Sequence, residues 1–152
     1  VKLSPSCADV LSVAQAAERG GADGLVVANT LPGMRIDVAK RVPALGNVTG
    51  GLSGPALLPV NLALVWKLSG SVSIPIIGSG GVTNAGHALE YMMAGAVAVQ
   101  VGTAVFADPS APSRIVDGLR ERMVEDGLEA VTDYVGLASE RGDACRRTVA
   151  AG

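Results

Sequence analysis

The sequence predicts an α/β protein, with four parallel strands and an outer layer of helices. Three observations predict it. Short apolar runs alternate with segments whose apolar residues recur at i, i+3, i+4 and i+7. The run Asp23 to Ala28 is apolar without strict alternation, as expected of a strand buried on both faces. Two junctions, "RGGADGLVVAN" and "MAGAVAVQVGT", each end a helix in small residues, enter a strand and meet a polar residue at its C-terminal end. Alternating βα units imply a parallel sheet with right-handed crossovers. Four units are too few for a closed barrel and make half of a (β/α)8 barrel. A small doubly wound sheet fits less well, because the first βα turn lacks the G-x-G-x-x-G pattern.

The elements follow in order. Val1 to Ser4 is a short strand stopped by Pro5. Asp9 to Arg19 is a helix with Val10, Val13, Ala14 and Ala17 on one face, ended by Gly20 and Gly21. The second strand covers 24–28. Asn29 to Ser53 is rich in Gly, Pro and Asn and reads as one long loop, a length that is usually functional or disordered. Ser53 can cap a helix whose Leu58, Leu62 and Val65 share a face. Ile74 to Gly78 is the third strand, and Thr83 or Asn84 caps a helix presenting Ala85, Ala88, Leu89 and Met92. Val97 to Val101 is the fourth strand. Ser113 caps a last long helix carrying Val116, Leu119 and Met123, and a short helix can run from Leu128 to Leu137. Residues 1–138 thus form the half-barrel, and 139–152 form a polar tail without periodicity that is expected to fray. The opening residues already read as a buried strand with no lead-in, so the chain is expected to be a fragment of a longer one.

Composition narrows the function. The 152 residues are 49% hydrophobic and 17% charged, enough to bury a core. A net charge of −2 without a basic run argues against nucleic acid. The longest apolar run, Ala56 to Trp66, is broken by Pro59 and Asn61 and is too short to span a membrane. Cys7 and Cys145 lie far apart, and His87 is the single histidine, so no metal site is expected. This cysteine usage fits a reducing cytoplasm.

Barrel chemistry sits at the C-terminal ends of the strands. Those positions hold Lys2 and Ser4, Asn29 and Thr30, then Thr49, Gly50, Gly51, Ser53 and Gly54 from the loop, then Gly78, Gly80 and Gly81, then Gly102 and Thr103. The set has one cation, several neutral hydrogen-bonding groups and many glycines. It has no carboxylate pair and no Ser-His-Asp set, so it suits a polar anionic ligand better than hydrolysis. Gly80-Gly81 and Gly102-Thr103 carry the sharpest signal. Glycines in adjacent units let backbone amides approach a phosphate, although tight βα turns alone would also use them. Lys2, between Val1 and Leu3, must be paired or point into the barrel mouth, unless its strand is an exposed edge. Asn29 can equally be a turn residue, and "TGGLSGP" a flexible loop. His87 reads as a surface residue and Cys7 as a bystander.

Taken together and in order, "VKLSP", "GADGLVVANTLPGMRID", "NVTGGLSGPALLPV", "IPIIGSGGV" and "MAGAVAVQVGTAVFADP" resemble the C-terminal half of a dihydroorotate dehydrogenase, nearest to the class 1B catalytic subunit. The resemblance runs from Val1 to about Leu119 and more loosely to about Leu137. It implies an FMN-binding (β/α)8 barrel that oxidises dihydroorotate to orotate in pyrimidine synthesis. It places Lys2 beside the flavin N1/C2 edge, the Ala28 backbone and Gly54 against the flavin, and Gly80, Gly81, Gly102 and Thr103 around its phosphate. It gives Asn29 and Thr30 to the substrate. It also implies a homo-oligomer and an FAD- and iron–sulfur-containing subunit that passes electrons to NAD. Ser6 stands where the family usually has Asn, followed by Cys7. The family's catalytic base, a cysteine, lies on a loop upstream of the lysine strand, before Val1, and neither Cys7 nor Cys145 matches it. Rival readings are a dihydropyrimidine dehydrogenase-like flavin barrel, a phosphosugar barrel without flavin, and an inactive half-barrel fragment.

Overall fold

The computed structural model describes residues 1–139. In chain order, helix α1 (Val10–Arg19) leads to strand β1 (Leu25–Val27). Four short strands follow: β2 (Leu31–Met34), β3 (Ile36–Asp37), β4 (Val42–Pro43) and β5 (Thr49–Leu52). Then come α2 (Leu58–Ser69), β6 (Ile76–Ser79), α3 (Ala85–Met93) and β7 (Ala98–Gln100). The short α4 (Ala104–Ala107) and the long α5 (Ala111–Asp126) follow these.

Strands β1, β6 and β7 form one parallel sheet in that order. The N-terminal residues add a fourth parallel line beside β1. Leu3 N donates to Val26 O at 3.0 Å, and Val26 N donates to Val1 O at 2.8 Å. The ladder there is a single bridge, Lys2 to Val26, rather than the full strand expected over Val1 to Ser4. Pro5 cannot extend it, and Cys7 N turns back to Ser4 O.

Period-2 geometry sorts the side chains. Lys2, Val26, Ile77 and Ala98 stand in register on one face. Leu3, Leu25, Val27 and Ile76 point the other way. They pack with Val10 and Ala14 of α1, Val65 and Leu68 of α2, Ala88 and Tyr91 of α3, and Ile115 of α5. The helices therefore cover one face, as in a barrel wall. Val26, Ile77 and Ala98 thus face inward, and Ile76 and Val99 belong to the helix side.

The segment expected as one long loop is ordered as two antiparallel pairs. Here β2 pairs with β5, Leu31 opposite Leu52, and β3 pairs with β4, Ile36 opposite Pro43. Both lie outside the main sheet and form an arm.

Two caps differ from expectation. Ser53 caps nothing, because a 3-10 turn over Pro55–Leu57 starts this helical region after Gly54, with no side-chain cap. Helix α5 begins at Ala111 with Ser110 at its cap, so Ser113 lies inside it. Asp108, not a cap serine, accepts the Ser110 amide at 2.9 Å. Of the two caps expected for α3, Asn84 serves, its side chain accepting from His87 N at 3.0 Å. Helix α2 buries Asn61, Val65 and Leu68, and Leu58 and Leu62 of the expected face pack half-buried against the same core. On α5, Val116 is 45% exposed and Ile115 is buried instead.

The short helix expected over Leu128 to Leu137 is one 3-10 turn, Val131–Tyr134. It closes a second apolar cluster of Leu89, Met92 and Tyr134. Tyr134 Oη donates to Asp126 Oδ2 at 2.8 Å, as does Arg122 Nε at 2.8 Å. Trp66 Nε1 donates to Ala138 O at 3.1 Å and ties this return segment to α2. The tail expectation for 140–152, with Cys145, lies outside the described residues.

Arg122 first, and the Tyr134 hydroxyl second, hold the Asp126 carboxyl below its ordinary value of 3.8. A depressed carboxyl contributes stability above its unfolded value and loses it as pH falls through the lower folded one. Acidification below pH 3.8 should therefore loosen the return segment and shift Trp66 emission to the red. Asp126→Asn should abolish that acid step. An identical step in the variant would assign it to another carboxyl.

Candidate active site

The C-terminal ends of the four parallel lines meet at one rim, around a cavity of about 160 Å3. Lys2 enters it from the N-terminal segment, and Ala28, Asn29 and Thr30 from the end of β1. The arm returns to it through Ser53 and Gly54, with Leu57 behind. Strand β6 supplies Ser79, Gly80 and Gly81, and β7 supplies Gln100, Gly102 and Thr103. The nine residues that the family resemblance assigns to flavin and substrate, Lys2, Ala28, Asn29, Thr30, Gly54, Gly80, Gly81, Gly102 and Thr103, line this one cavity; of the other strand-end positions Ser53 lines it, whereas Ser4, Thr49, Gly50, Gly51 and Gly78 do not. Leu57, Ser79 and Gln100 were not foreseen. Gln100 and Ser79 share the Lys2 face by strand alternation, a signal available once the face of Lys2 is known. Ser79 lies one residue beyond Gly78, the expected end of the third strand, because β6 continues to Ser79.

Lys2 is the one ionisable side chain among the lining residues. It is solvent-exposed and makes no ion pair among the described residues. Asn29 is held at both ends: its N–H donates to Leu3 O at 2.9 Å, and its Oδ1 accepts from Thr30 N at 2.9 Å. The Val27–Ala28 peptide beside it is cis.

The glycine loop after β6 is shaped by conformations that side chains resist. Gly80 has φ +122° and Gly81 φ +74°. A Cβ on Gly80 would lie 2.6 Å from Asn61 Nδ2, and one on Gly81 2.7 Å from the Leu58 amide nitrogen. At Gly102 a Cβ would meet nothing within 4 Å. Among the described residues the N–H groups of Gly81, Gly102 and Thr103 have no acceptor. The wall is thus bare backbone with donors to spare, facing a lysine.

Two helices hold this wall from behind. Tyr91 Oη donates to Gly80 O at 2.8 Å. Burial first, and Glu90 second, push the Tyr91 hydroxyl pKa upward, so it stays a donor across the accessible pH range. Asn61 on α2 is fully buried and donates to Ser79 O at 2.8 Å, while its Oδ1 has no partner among the described residues. An unsatisfied buried acceptor of this kind costs about 1–3 kcal/mol. The other candidates stand apart. His87 bonds Thr83 Oγ1 through Nδ1 at 3.0 Å, and Cys7 is half-buried against the core. Among the described residues no group of three or more His, Cys, Asp or Glu could hold a metal, and no helix is long and apolar enough to cross a membrane.

A parallel sheet with helices on one face, and a glycine-walled rim opposed by one lysine, defines a partial (β/α)8 barrel. Residues 1–123 match the family model described as "Dihydroorotate dehydrogenase", and the chain belongs to that family. It is 54% identical over 136 residues to the dihydroorotate dehydrogenase B (NAD(+)) catalytic subunit of Halalkalibacterium halodurans, covering 90% of this chain and 45% of that protein. It is 53% identical over 138 residues to the subunit of the same name from Desulforamulus reducens, covering 91% and 45%. Among solved structures, it is similar to the DHODH of Eimeria tenella crystallised in complex with ferulenol. There the TM-score is 0.74 at 31% identity, over 90% of this chain and 37% of that one. The chain thus spans about half the length of the curated relatives it matches.

Proposed function

We propose that this chain supplies the phosphate-binding wall and the flavin-facing lysine of an FMN-dependent dihydroorotate dehydrogenase, oxidising dihydroorotate to orotate in pyrimidine biosynthesis. The observation that carries the reading is the single cavity that gathers Lys2 and the free backbone donors of Gly81, Gly102 and Thr103. The residues fit the group: a phosphate needs closely approaching amides, and the open space at Gly102 lies where a side chain would otherwise intrude. FMN, when bound, accepts the electrons of the substrate C–H bond. Lys2, lining the same cavity, would stabilise the negative charge that the flavin gains on reduction. Gly80, Gly81, Gly102 and Thr103 hold the phosphate, and Ala28 and Gly54 lie against the flavin. Asn29 and Thr30, on the same rim, orient the substrate by hydrogen bonds. The proton acceptor is a cysteine outside these residues. The relatives' shared designation as an NAD(+)-dependent catalytic subunit supports a partner subunit, and the family resemblance implies that this partner carries FAD and an iron–sulfur cluster. A cytoplasmic homo-oligomer completes the reading.

Titrating the full-length protein with FMN and with riboflavin tests it. FMN should bind at least about tenfold more tightly, because charge-assisted bonds to a phosphate contribute about 1.5–3 kcal/mol each. Flavin absorbance near 450 nm should bleach on addition of dihydroorotate. Equal affinity for the two flavins would remove the phosphate from this wall. Binding of a sugar phosphate without flavin would favour a phosphosugar barrel instead.

A further inference from the structure

Asn61 sits in an apolar stretch of α2, at a place where a hydrocarbon side chain would bury no polar group. It has no exposed surface. Its Nδ2 lies 2.8 Å from Ser79 O, 3.4 Å from Asn29 O and 3.5 Å from Ala28 O. These three carbonyls close β6 and β1, and all three residues line the cavity. With carbonyls on that side, the amide must present its NH2 there and not its oxygen. Nδ2 also lies directly behind the glycine loop, 2.6 Å from the position of a Gly80 Cβ. Ser79 O accepts from Ala28 N at 3.2 Å as well, and Tyr91 Oη grips the next carbonyl, Gly80 O, from α3.

We propose that Asn61 is a positioning residue for the site. One carboxamide bridges the ends of two parallel strands and fixes the separation between the Ala28–Asn29 peptide and the Gly80–Gly81 amides. The first of these faces the flavin ring and the second its phosphate, so the bridge sets how both ends of one ligand are held. This rests on the FMN reading above; the bridge itself is a property of the protein alone.

The test uses Asn61→Leu and Asn61→Asp in the full-length protein. Affinity for FMN is measured well below the melting temperature of each, and amide exchange is followed without flavin at Ala28 and Asn29, whose N–H groups donate to Ser79 O and Leu3 O. Asn61→Leu should melt at or above the parent temperature, yet bind FMN about tenfold more weakly and exchange faster at those amides. In Asn61→Asp the ionised carboxylate faces carbonyls and cannot donate. FMN affinity should fall at neutral pH and recover on acidification, as the neutral acid regains one O–H donor to Ser79 O. The parent should show no such recovery. Parent affinity and parent exchange in a folded Asn61→Leu, or a pH-independent loss in Asn61→Asp, would overturn the proposal. If the parent binds no FMN, the flavin reading fails. The exchange rates then decide the bridge on their own: unchanged exchange overturns it and faster exchange sustains it.

Discussion

Lys2→Ala should lower the midpoint potential of bound FMN by about 30–60 mV while leaving the fold intact. Lys2 stands on the open sheet face, in register with Val26 and Ile77, and no carboxylate lines the cavity to neutralise it. Its ammonium is therefore available to a ligand. A charge-assisted hydrogen bond contributes about 1.5–3 kcal/mol. For a two-electron couple, 30 mV corresponds to about 1.4 kcal/mol, which gives the stated range. The sign follows from the charge: a cation favours the more negative, reduced form, so its removal makes reduction harder. Stability should change by less than about 0.5 kcal/mol, because Lys2 is exposed and makes no ion pair among the described residues. Spectroelectrochemical titration and a thermal melt measure the two quantities. An unmoved potential in a folded variant would take Lys2 away from the flavin.

Gly81→Ala should be the more damaging change, costing about 2–4 kcal/mol of stability and abolishing measurable FMN binding. A φ of +74° disfavours any side chain, and the new Cβ would stand 2.7 Å from Leu58 N and 2.9 Å from Leu58 Cβ. Backbone cannot yield as a side-chain tip can, so the loop itself must move. Gly102→Ala is its counterpart. Nothing lies within 4 Å of a Cβ there, so the melt should be unchanged while the methyl intrudes on the phosphate. Paired melts and FMN titrations separate the outcomes. Tight FMN binding by a stable Gly102→Ala would exclude phosphate from that side of the cavity.

The parallel strands and the rim were legible because their signals are local. Apolar runs mark β1 and β6, and Gly80-Gly81 and Gly102-Thr103 mark the turns that follow β6 and β7. The arm was not legible. Its strands, "LPGM" and "TGGL", offer no alternation of apolar and polar residues, and Pro32 and the glycines read as breakers. Only their mutual pairing makes them strands. The faces of the sheet also needed the structure, since a run such as "LVV" is apolar on both sides and its phase cannot be read from pattern. Asn61 was visible in the sequence only as an interruption of an apolar run. Its partners are backbone carbonyls 18, 32 and 33 residues away, which no spacing rule reaches. Ser53 and Ser113 failed as caps because prolines at the first turns of the following helical segments shifted the helix starts.

The arm has a consequence for how the protein breathes. No residue between Leu31 and Leu52 belongs to either apolar cluster, so the arm is held by its own ladder and by its two roots. Such a unit can open without unfolding the core, and its amides should exchange through a separate, cheaper fluctuation than those of β1 and β6. Both roots, Asn29–Thr30 on one side and Ser53–Gly54 on the other, lie in the wall of the cavity. Whatever fills the cavity therefore clamps the base of a lever some twenty residues long. Occupancy of a small pocket should be audible at a distance, as slowed exchange at the tip around Asp37 to Val42, where no ligand atom reaches.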